Sequence, residues 1–557
     1  MTLIRRTLLV LSICCTCLPS ANSATPSQAG IATAHPLATA AGHDILAAGG
    51  NAFDAAVAIS ATLAVVEPFG SGIGGGGFWL LYIADQKRYV MIDGRETTPA
   101  AGHKDMYLDN QGNVIPGRSI DGPLAAGIPG LPAALAHLAK RYGNLPLKKS
   151  LAPAIRHSRD GFQVSPHYRT LANFRLDALN RWPEAADIFL ADGLAPEIGQ
   201  RIIQKDLAAT LQALADHGHA GFYQGKIAGK LVDGIRADGG IWTLADLKNY
   251  KVVERQPVTG SYRDLKIVSA APPSSGGIAL VETLNILQEF DLNKLSPVTQ
   301  KHVIIEAMRR AYRDRAQYLG DPDFVAIPDS RLLSAAHARQ LASSINAEKA
   351  TPSQSLPAAV AGKEGDNTTH FSVLDKAGNR VAATLSINYP FGAAYVPPGT
   401  GVLLNDELDD FSAKPGIPNA YGLVGSHANA IAPGKRPLSS MSPTFVESEH
   451  GIAILGTPGG SRIISMVLLG ILQYAQGADA QTIAAYPRFH HQYLPDVVQY
   501  ETRGLETEEI KALERLGHAT KDIGRPYGDM QVVLWQRADN RVSAASDPRR
   551  EGQASVK

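Results

Sequence analysis

The sequence predicts an α+β fold, and three observations carry that reading. Residues 34–66, about 128–250 and 301–319 repeat their apolar side chains at helical spacing. Residues 78–83 with 88–92, and 369–374 with 380–387, form pairs of short apolar or alternating runs separated by polar turns, the pattern of antiparallel strands. Residues 452–455 form an apolar run that ends in a glycine turn, a further strand.

Taken in order, residues 38–48 are Ala-rich and stop at Gly49-Gly50, a helix-ending pair. Asn51 suits the cap of a second helix, whose Ala55, Ala56 and Ala58 permit close packing. Strands 78–83 and 88–92 flank the turn Asp85-Gln86-Lys87. The helix over 301–319 carries Ile304, Ile305, Met308 and Tyr312 on one side and an exposed Arg-rich side opposite. Residues 351–366 lack an apolar period and are rich in Ser, Pro, Ala and Gly, which reads as a solvated, mobile linker. That linker runs directly into a strand at Thr368, the first limb of a hairpin turning at Lys376-Ala377-Gly378-Asn379. No internal repeat is found.

The chain has 557 residues, 45% hydrophobic and 19% charged, with a formal net charge of +1. That balance gives no reason to expect a nucleic acid or an anionic membrane as partner. Residues 1–23 have the layout of an export signal: Arg5 and Arg6, an apolar run too short to span a bilayer, then Ala21-Asn22-Ser23 at cleavage spacing. Cys14, Cys15 and Cys17 all lie inside it. The mature chain is therefore expected to have no disulfide, no thiol nucleophile and no thiolate metal site. No later stretch is long and apolar enough for a membrane span.

Two motifs are set aside. The run from Gly72 to Gly77 has G-x-G-x-x-G spacing, but a strand rather than a helix follows it, so it reads as a tight backbone turn and not a nucleotide loop. His490-His491 would point to opposite faces of a strand, and no acidic cluster supports a metal there. No G-x-S-x-G elbow is present.

Residues 368–461 hold more polar groups than a core needs. Among them are Asn388, the Asn405 to Phe411 run, three serines between prolines in Arg436 to Pro443, and the turn Gly456 to Ser461. Singly, each reads as a turn or loop. Their joint order resembles the γ-glutamyltransferase family, through Asp366-Asn367-Thr368-Thr369-His370-Phe371-Ser372-Val373, Asp409-Asp410-Phe411-Ser412-Ala413-Lys414-Pro415-Gly416, Arg436 to Pro443 and Gly459-Gly460-Ser461-Arg462-Ile463-Ile464. Asp93-Gly94-Arg95-Glu96, Pro272 to Gly277 and Tyr318-Leu319-Gly320-Asp321-Pro322 extend the resemblance, which runs collinearly from about residue 30 to Ser546-Asp547-Pro548-Arg549.

The resemblance implies a four-layer αββα sandwich of the N-terminal-nucleophile hydrolases and a precursor that cuts itself between Asn367 and Thr368. A large subunit (24–367) and a small one (368–557) would stay together as a heterodimer. Thr368 would be the nucleophile. Elementary chemistry agrees: a threonine hydroxyl needs a base, and the α-amine freed by the cut, with an ordinary pKa of about 7.7–8.0, is one. By resemblance, Arg95, Ser439 and Ser440 would hold the substrate α-carboxylate, while Asn388, Glu407 and Asp410 would receive its α-ammonium. Gly459 and Gly460 would stabilise the oxyanion. Ser386 would assist the nucleophile, Thr369 the self-cleavage, and Tyr421 would sit in a lid over the pocket. No metal or organic cofactor is implied. The expected substrates are glutathione and other γ-glutamyl compounds, with water, amino acids or dipeptides as acceptors, and the expected location is the bacterial periplasm after secretion. Two rivals share features: a glutaryl-cephalosporin acylase, whose substrate lacks the α-ammonium, and a non-catalytic periplasmic binding protein.

Overall fold

The structure, a computed structural model, describes residues 25–356, 368–412, 414, 419, 423 and 425–557. Residues 1–23, read from sequence as an export signal, residues 357–366 of the expected linker, Asn367 and Tyr421 lie outside the described residues.

Two antiparallel sheets form the centre. In chain order their strands are β1 (Gly30–Thr33), β2 (Gly76–Ile83), β3 (Arg88–Gly94), β4 (Val253–Arg255), β5 (Val258–Tyr262), β6 (Leu265–Ser269), β7 (Thr369–Leu374), β8 (Arg380–Ser386), β9 (Thr444–Glu447), β10 (Gly451–Gly456), β11 (Gln531–Gln536), β12 (Arg541–Ser546) and β13 (Gln553–Val556). The first sheet runs β13-β1-β7-β8-β2-β3-β4 and the second β12-β11-β10-β9-β6-β5. They stack through β7 and β8 against β10 and β11, and through β1 against β11 and β12.

Period-two alternation explains the layers. On β2, Trp79, Leu81 and Ile83 face an outer helix layer, while Phe78 and Leu80 face the other sheet. On β7, Phe371 and Val373 also face outward. The outer helices are α1 (Pro36–Ala47), α2 (Ala52–Val66) and α3 (Leu131–Arg141), packed on β1, on β7 and β8, and on β3. Beyond the second sheet lie α4 (Gly276–Gln288), α5 (Pro297–Tyr318) and α6 (Ile463–Ala475). The result is the expected αββα sandwich. Full burial of residues such as Trp79 and Phe371 contributes about 1.5–3 kcal/mol each.

Asn51 caps α2 as expected, in a capping box with Asp54. The glycine run opens β2 rather than a helix, and its close packing explains the glycines. A Cβ on Gly74 would stand 2.1 Å from the Leu403 carbonyl oxygen, and one on Gly75 2.2 Å from that of Ser386.

Two expectations are corrected. The arginine side of α5 is not exposed: Arg309, Arg310 and Arg315 are buried, because each guanidinium has partners inside the fold. Arg309 pairs with Glu306 and Asp496, Arg310 pairs with Glu306, and Arg315 donates to Ser275 and Ser440. The start of the presumed linker is not free either. Thr351 N donates to Glu306 (3.1 Å), Ser353 N to Asp496 (2.7 Å), and the Tyr493 hydroxyl to the Leu356 carbonyl (2.7 Å).

Candidate active site

Thr368 immediately precedes β7, and Ser386 closes the neighbouring β8. Antiparallel pairing, with Thr369 opposite Leu385, brings the two hydroxyls to 3.4 Å. Ser386 Oγ also accepts from the Asn388 N–H at 2.8 Å, and either hydroxyl of the Thr368–Ser386 pair can be the donor between them. Asn388 has φ 72°, a left-handed conformation that asparagine tolerates better than most residues, and its Nδ2 donates to the Asp406 carbonyl at 3.1 Å.

One pocket is lined by Thr368, Ser386, Asn388, Glu407, Asp410, Leu423, Ser439, Ser440 and Gly460. Asn405 builds one wall by making four hydrogen bonds. Its Nδ2 donates to Gly74 O (2.7 Å) and Gly127 O (2.8 Å), and its Oδ1 accepts from Gly127 N and Glu407 N (both 3.0 Å). The glycine loop and the turn bearing Glu407 are thus tied to one amide. On the other wall, Ser439 O accepts from Ser275 N and Oγ, and Arg315 donates to Ser275 Oγ (2.8 Å) and Ser440 Oγ (3.2 Å). Gly459 and Gly460 lie between β10 and α6 in left-handed or open conformations, φ 140° and 56°, that favour glycine.

Arg95, just after β3, is fully buried behind this pocket and pairs with both Glu407 and Asp410. Its own carbonyl accepts from Tyr250 Oη (2.7 Å) and Arg436. Burial opposes the charge of Arg95, but Glu407, Asp410 and Glu96 outweigh it and hold the guanidinium protonated. Burial pushes Glu407 up to about 7 against the pull of Arg95, and raises Asp410 by the same cause. Glu96 is pushed well above the carboxylate range, by burial first and by Glu407's charge second.

The structure therefore brings together Thr368, Ser386, Asn388, Glu407, Asp410, Ser439, Ser440 and Gly460 on one pocket, with Arg95 behind two of them. Gly459 and Thr369 instead line a second cavity that also touches Thr368. Sequence reasoning missed Glu67 and Arg315, and named Glu96 and Asn405 within motifs without giving either a role. Glu67 left a signal, a carboxylate directly after the wholly apolar Ala61 to Val66 run save Thr62. Arg315 left none that distinguishes it from its arginine neighbours.

Among the described residues, His302, Glu306 and His518 lie close enough to suggest a metal, but hydrogen bonds occupy both rings. His302 Nε2 donates to Asn346 O, His302 Nδ1 accepts from His518 Nε2, and His518 Nδ1 accepts from Arg309. His490 and His491 separate, as expected, toward Ser465 and Gln492 and toward Asp496.

Residues 38–557 match the family model described as Gamma-glutamyltranspeptidase. The chain belongs to the γ-glutamyltranspeptidase family. It is 42% identical to the Glutathione hydrolase proenzyme of Pseudomonas sp. (strain A14), over 93% of this chain and 92% of that one. The γ-glutamyltranspeptidase structure from Helicobacter pylori is 40% identical, with TM-score 0.56, and covers 57% of this chain and 92% of its own. A cephalosporin acylase structure from Bacillus halodurans superposes with TM-score 0.83 at 27% identity, covering 100% of this chain and 99% of that one. Membership makes this chain an enzyme of the γ-glutamyltranspeptidase type on the N-terminal-nucleophile hydrolase fold. Among the described residues, no helix is long and apolar enough to cross a membrane.

Proposed function

We infer that this chain is a self-cleaving γ-glutamyltransferase and glutathione hydrolase with Thr368 as nucleophile. The observation that carries the reading is the Thr368–Ser386 hydroxyl pair at 3.4 Å, set in a pocket walled by Glu407, Asp410, Ser439 and Ser440. In the precursor, Thr368 Oγ attacks the Asn367 carbonyl carbon, the Asn367–Thr368 C–N bond breaks, and water hydrolyses the resulting ester. Two subunits result, 24–367 and 368–557, held together by the shared sheet in which β7 pairs β1. The new α-amine is then the base for the same hydroxyl.

In turnover, Thr368 Oγ attacks the γ-carbonyl of glutathione or a related γ-glutamyl amide. The amide nitrogen leaves as a protonated amine, and the γ-glutamyl ester passes to water, an amino acid or a dipeptide. Gly459 and Gly460 are the proposed oxyanion donors, aided by their place ahead of α6. Binding of the substrate zwitterion exchanges partners within one ion cluster. Its α-carboxylate takes N–H groups of Arg95 with Ser439 and Ser440, and its α-ammonium takes Glu407, Asp410 and Asn388. Every buried charge stays paired before and after, which keeps the desolvation cost low. Tyr421 is the proposed lid residue, and residues 1–23 the export signal that delivers the chain to the periplasm.

The acylase reading is weaker because a glutaryl group has no ammonium for Glu407 and Asp410. The test is Thr368→Ala. Denaturing electrophoresis should show one uncut chain with no turnover of a γ-glutamyl anilide, against two bands and turnover for the wild type. A cut and active variant, or a wild type that prefers a glutaryl anilide, sinks the proposal.

A further inference from the structure

Thr368 also touches a second cavity, which shares Gly459 with the proposed oxyanion site. It is lined by Thr368, Thr369, Gly459, Glu67, Asp529 and Arg550, among others. Glu67 follows the last turn of α2, is only 7% exposed, and its Oε2 accepts the Thr369 hydroxyl at 2.7 Å. The same residue shapes the backbone next to the nucleophile. Its carbonyl accepts from Gly70 and Ser71 N–H, and Gly70 lies so close to the Thr368 carbonyl that a Cβ there would stand 3.4 Å from that oxygen. A buried carboxyl is therefore fixed, through one hydroxyl, to the residue adjoining the amine that cleavage creates.

The other charged groups facing Glu67 narrow what can titrate there. Burial, and after it the charge of Asp547, pushes Asp529 well above the carboxylate range. His167 is held neutral by burial and by Arg550. Arg550 and Glu551 act on Glu67 in opposite directions. Burial pushes Glu67 itself up to about 7, the Thr369 hydrogen bond opposing it. Near neutral pH the charge of Glu67 changes.

We propose that Glu67, held by Thr369, is a positioning residue that sets the protonation of the Thr368 α-amino group in the cut enzyme. The proposal rests on the reading of Thr368 as a self-released N-terminal nucleophile. The amine must be neutral to take the Oγ proton, which it then passes to the leaving nitrogen. An ionised Glu67 favours the ammonium and so delays the rise of activity with pH. Its neutralisation lowers the amine's pKa, because an opposite charge nearby stabilises the charged form.

The experiment is the pH profile of kcat/KM for a γ-glutamyl anilide with wild type, Glu67→Gln and Thr369→Val. Glutamine keeps the acceptor for Thr369 and removes the charge. Valine removes the hydroxyl that holds the carboxyl and leaves Glu67 to be driven neutral by burial. Both acid limbs should move to lower pH, by about one unit for Glu67→Gln. Unmoved limbs in cut, active variants overturn the proposal while leaving the transferase reading intact. A folded Glu67→Gln chain that stays uncut also overturns it, since Glu67 would then serve the cleavage rather than the mature amine. If Glu67→Gln does not fold, Thr369→Val decides alone by the same limb. A wild type without anilide turnover defeats the functional reading instead.

Discussion

The hydroxyl of Thr368 stands 3.4 Å from that of Ser386, and Ser386 in turn accepts the Asn388 N–H at 2.8 Å. A strand end and the loop after it are thereby joined at the proposed nucleophile. Ser386→Ala removes the hydroxyl partner of Thr368 and the oxygen that accepts the Asn388 N–H, a loss of about 0.5–1.5 kcal/mol per bond. Turnover of a γ-glutamyl anilide is expected to fall by about 100-fold, the low end for loss of a positioned proton partner. Ser386→Thr keeps the hydroxyl and should stay near wild type.

Gly75 supports the same place from below. Its missing Cβ leaves room for the Ser386 carbonyl, 2.2 Å from where that Cβ would be. Gly75→Ala must push Ser386 and Asn388 away from Thr368. A shift of about 1 Å in a catalytic group costs about 100-fold, so activity should drop by that factor while far-ultraviolet circular dichroism stays native. Gly229→Ala is the control: it lies within a helix, a Cβ there meets nothing within 4 Å, and alanine should stabilise by about 0.5–1 kcal/mol.

Arg95 serves Glu407 and Asp410 at once through the two arms of its guanidinium. A lysine is a single point charge and cannot repeat that fork. Arg95→Lys leaves one buried carboxylate without its partner, which costs on the order of 3–5 kcal/mol and should lower the melting temperature clearly. The KM for a γ-glutamyl anilide should rise by more than about tenfold, since the α-carboxylate loses a charge-assisted bond. An unchanged KM would remove Arg95 from substrate binding.

The strands and helices that position the site were legible because burial on one face imprints a period. Residues 78–83, 369–374 and 452–455 alternate or run apolar, and each is a strand within one or two residues. The pocket residues were legible only as an ordered set, since Asn388, Glu407 and Ser440 each look like ordinary turn residues alone. Long-range pairing was not legible. The sequence places Arg95 far from Glu407, and nothing local says that they form one ion cluster. Charge also misled over α5, where Arg309, Arg310 and Arg315 looked solvated. Their partners lie on α5 itself for Arg309 and Arg310, and otherwise on Asp496, Ser275 and Ser440, which no periodicity reveals.

Glu67 links the surroundings of Thr368 to overall stability. Its folded pKa, raised by burial from 4.5 to about 7, means that the folded chain binds a proton more tightly than the unfolded one. The associated stability is fully present below about pH 4.5 and is lost as pH rises through 7. At about 1.4 kcal/mol per unit, the span is on the order of 3 kcal/mol. Glu67→Gln removes this dependence, so its melting temperature should exceed that of wild type at pH 8 by more than at pH 5. Equal differences at both values would show that Glu67 does not titrate on unfolding.

The segment ahead of the proposed cut is clasped at Thr351 to Leu356 by groups from both proposed subunits. Arg309 reaches Ser353 Oγ and Asp496, Glu306 accepts Thr351 N, and Tyr493 donates to Leu356 O. Burial opposes the charge of Glu306, yet Arg309 and its hydrogen bonds hold it down to about 2. Asp496 is likewise held below the carboxylate range, by His491, Ser353 N–H and Arg309 against burial. Both contribute stability above about pH 4.5 that is lost as pH falls toward 2, the reverse of Glu67. Arg309→Met strips the clasp of its central cation and leaves Asp496 without its guanidinium partner. A loss on the order of 3 kcal/mol should follow, together with new protease cuts at residues 351–356, read by mass spectrometry. Self-cleavage should still go to completion, because the clasp grips the chain eleven residues short of Asn367 and leaves Thr368 and Ser386 in place. A variant as protease-resistant as wild type would mean that the tail is held by packing and not by this cation.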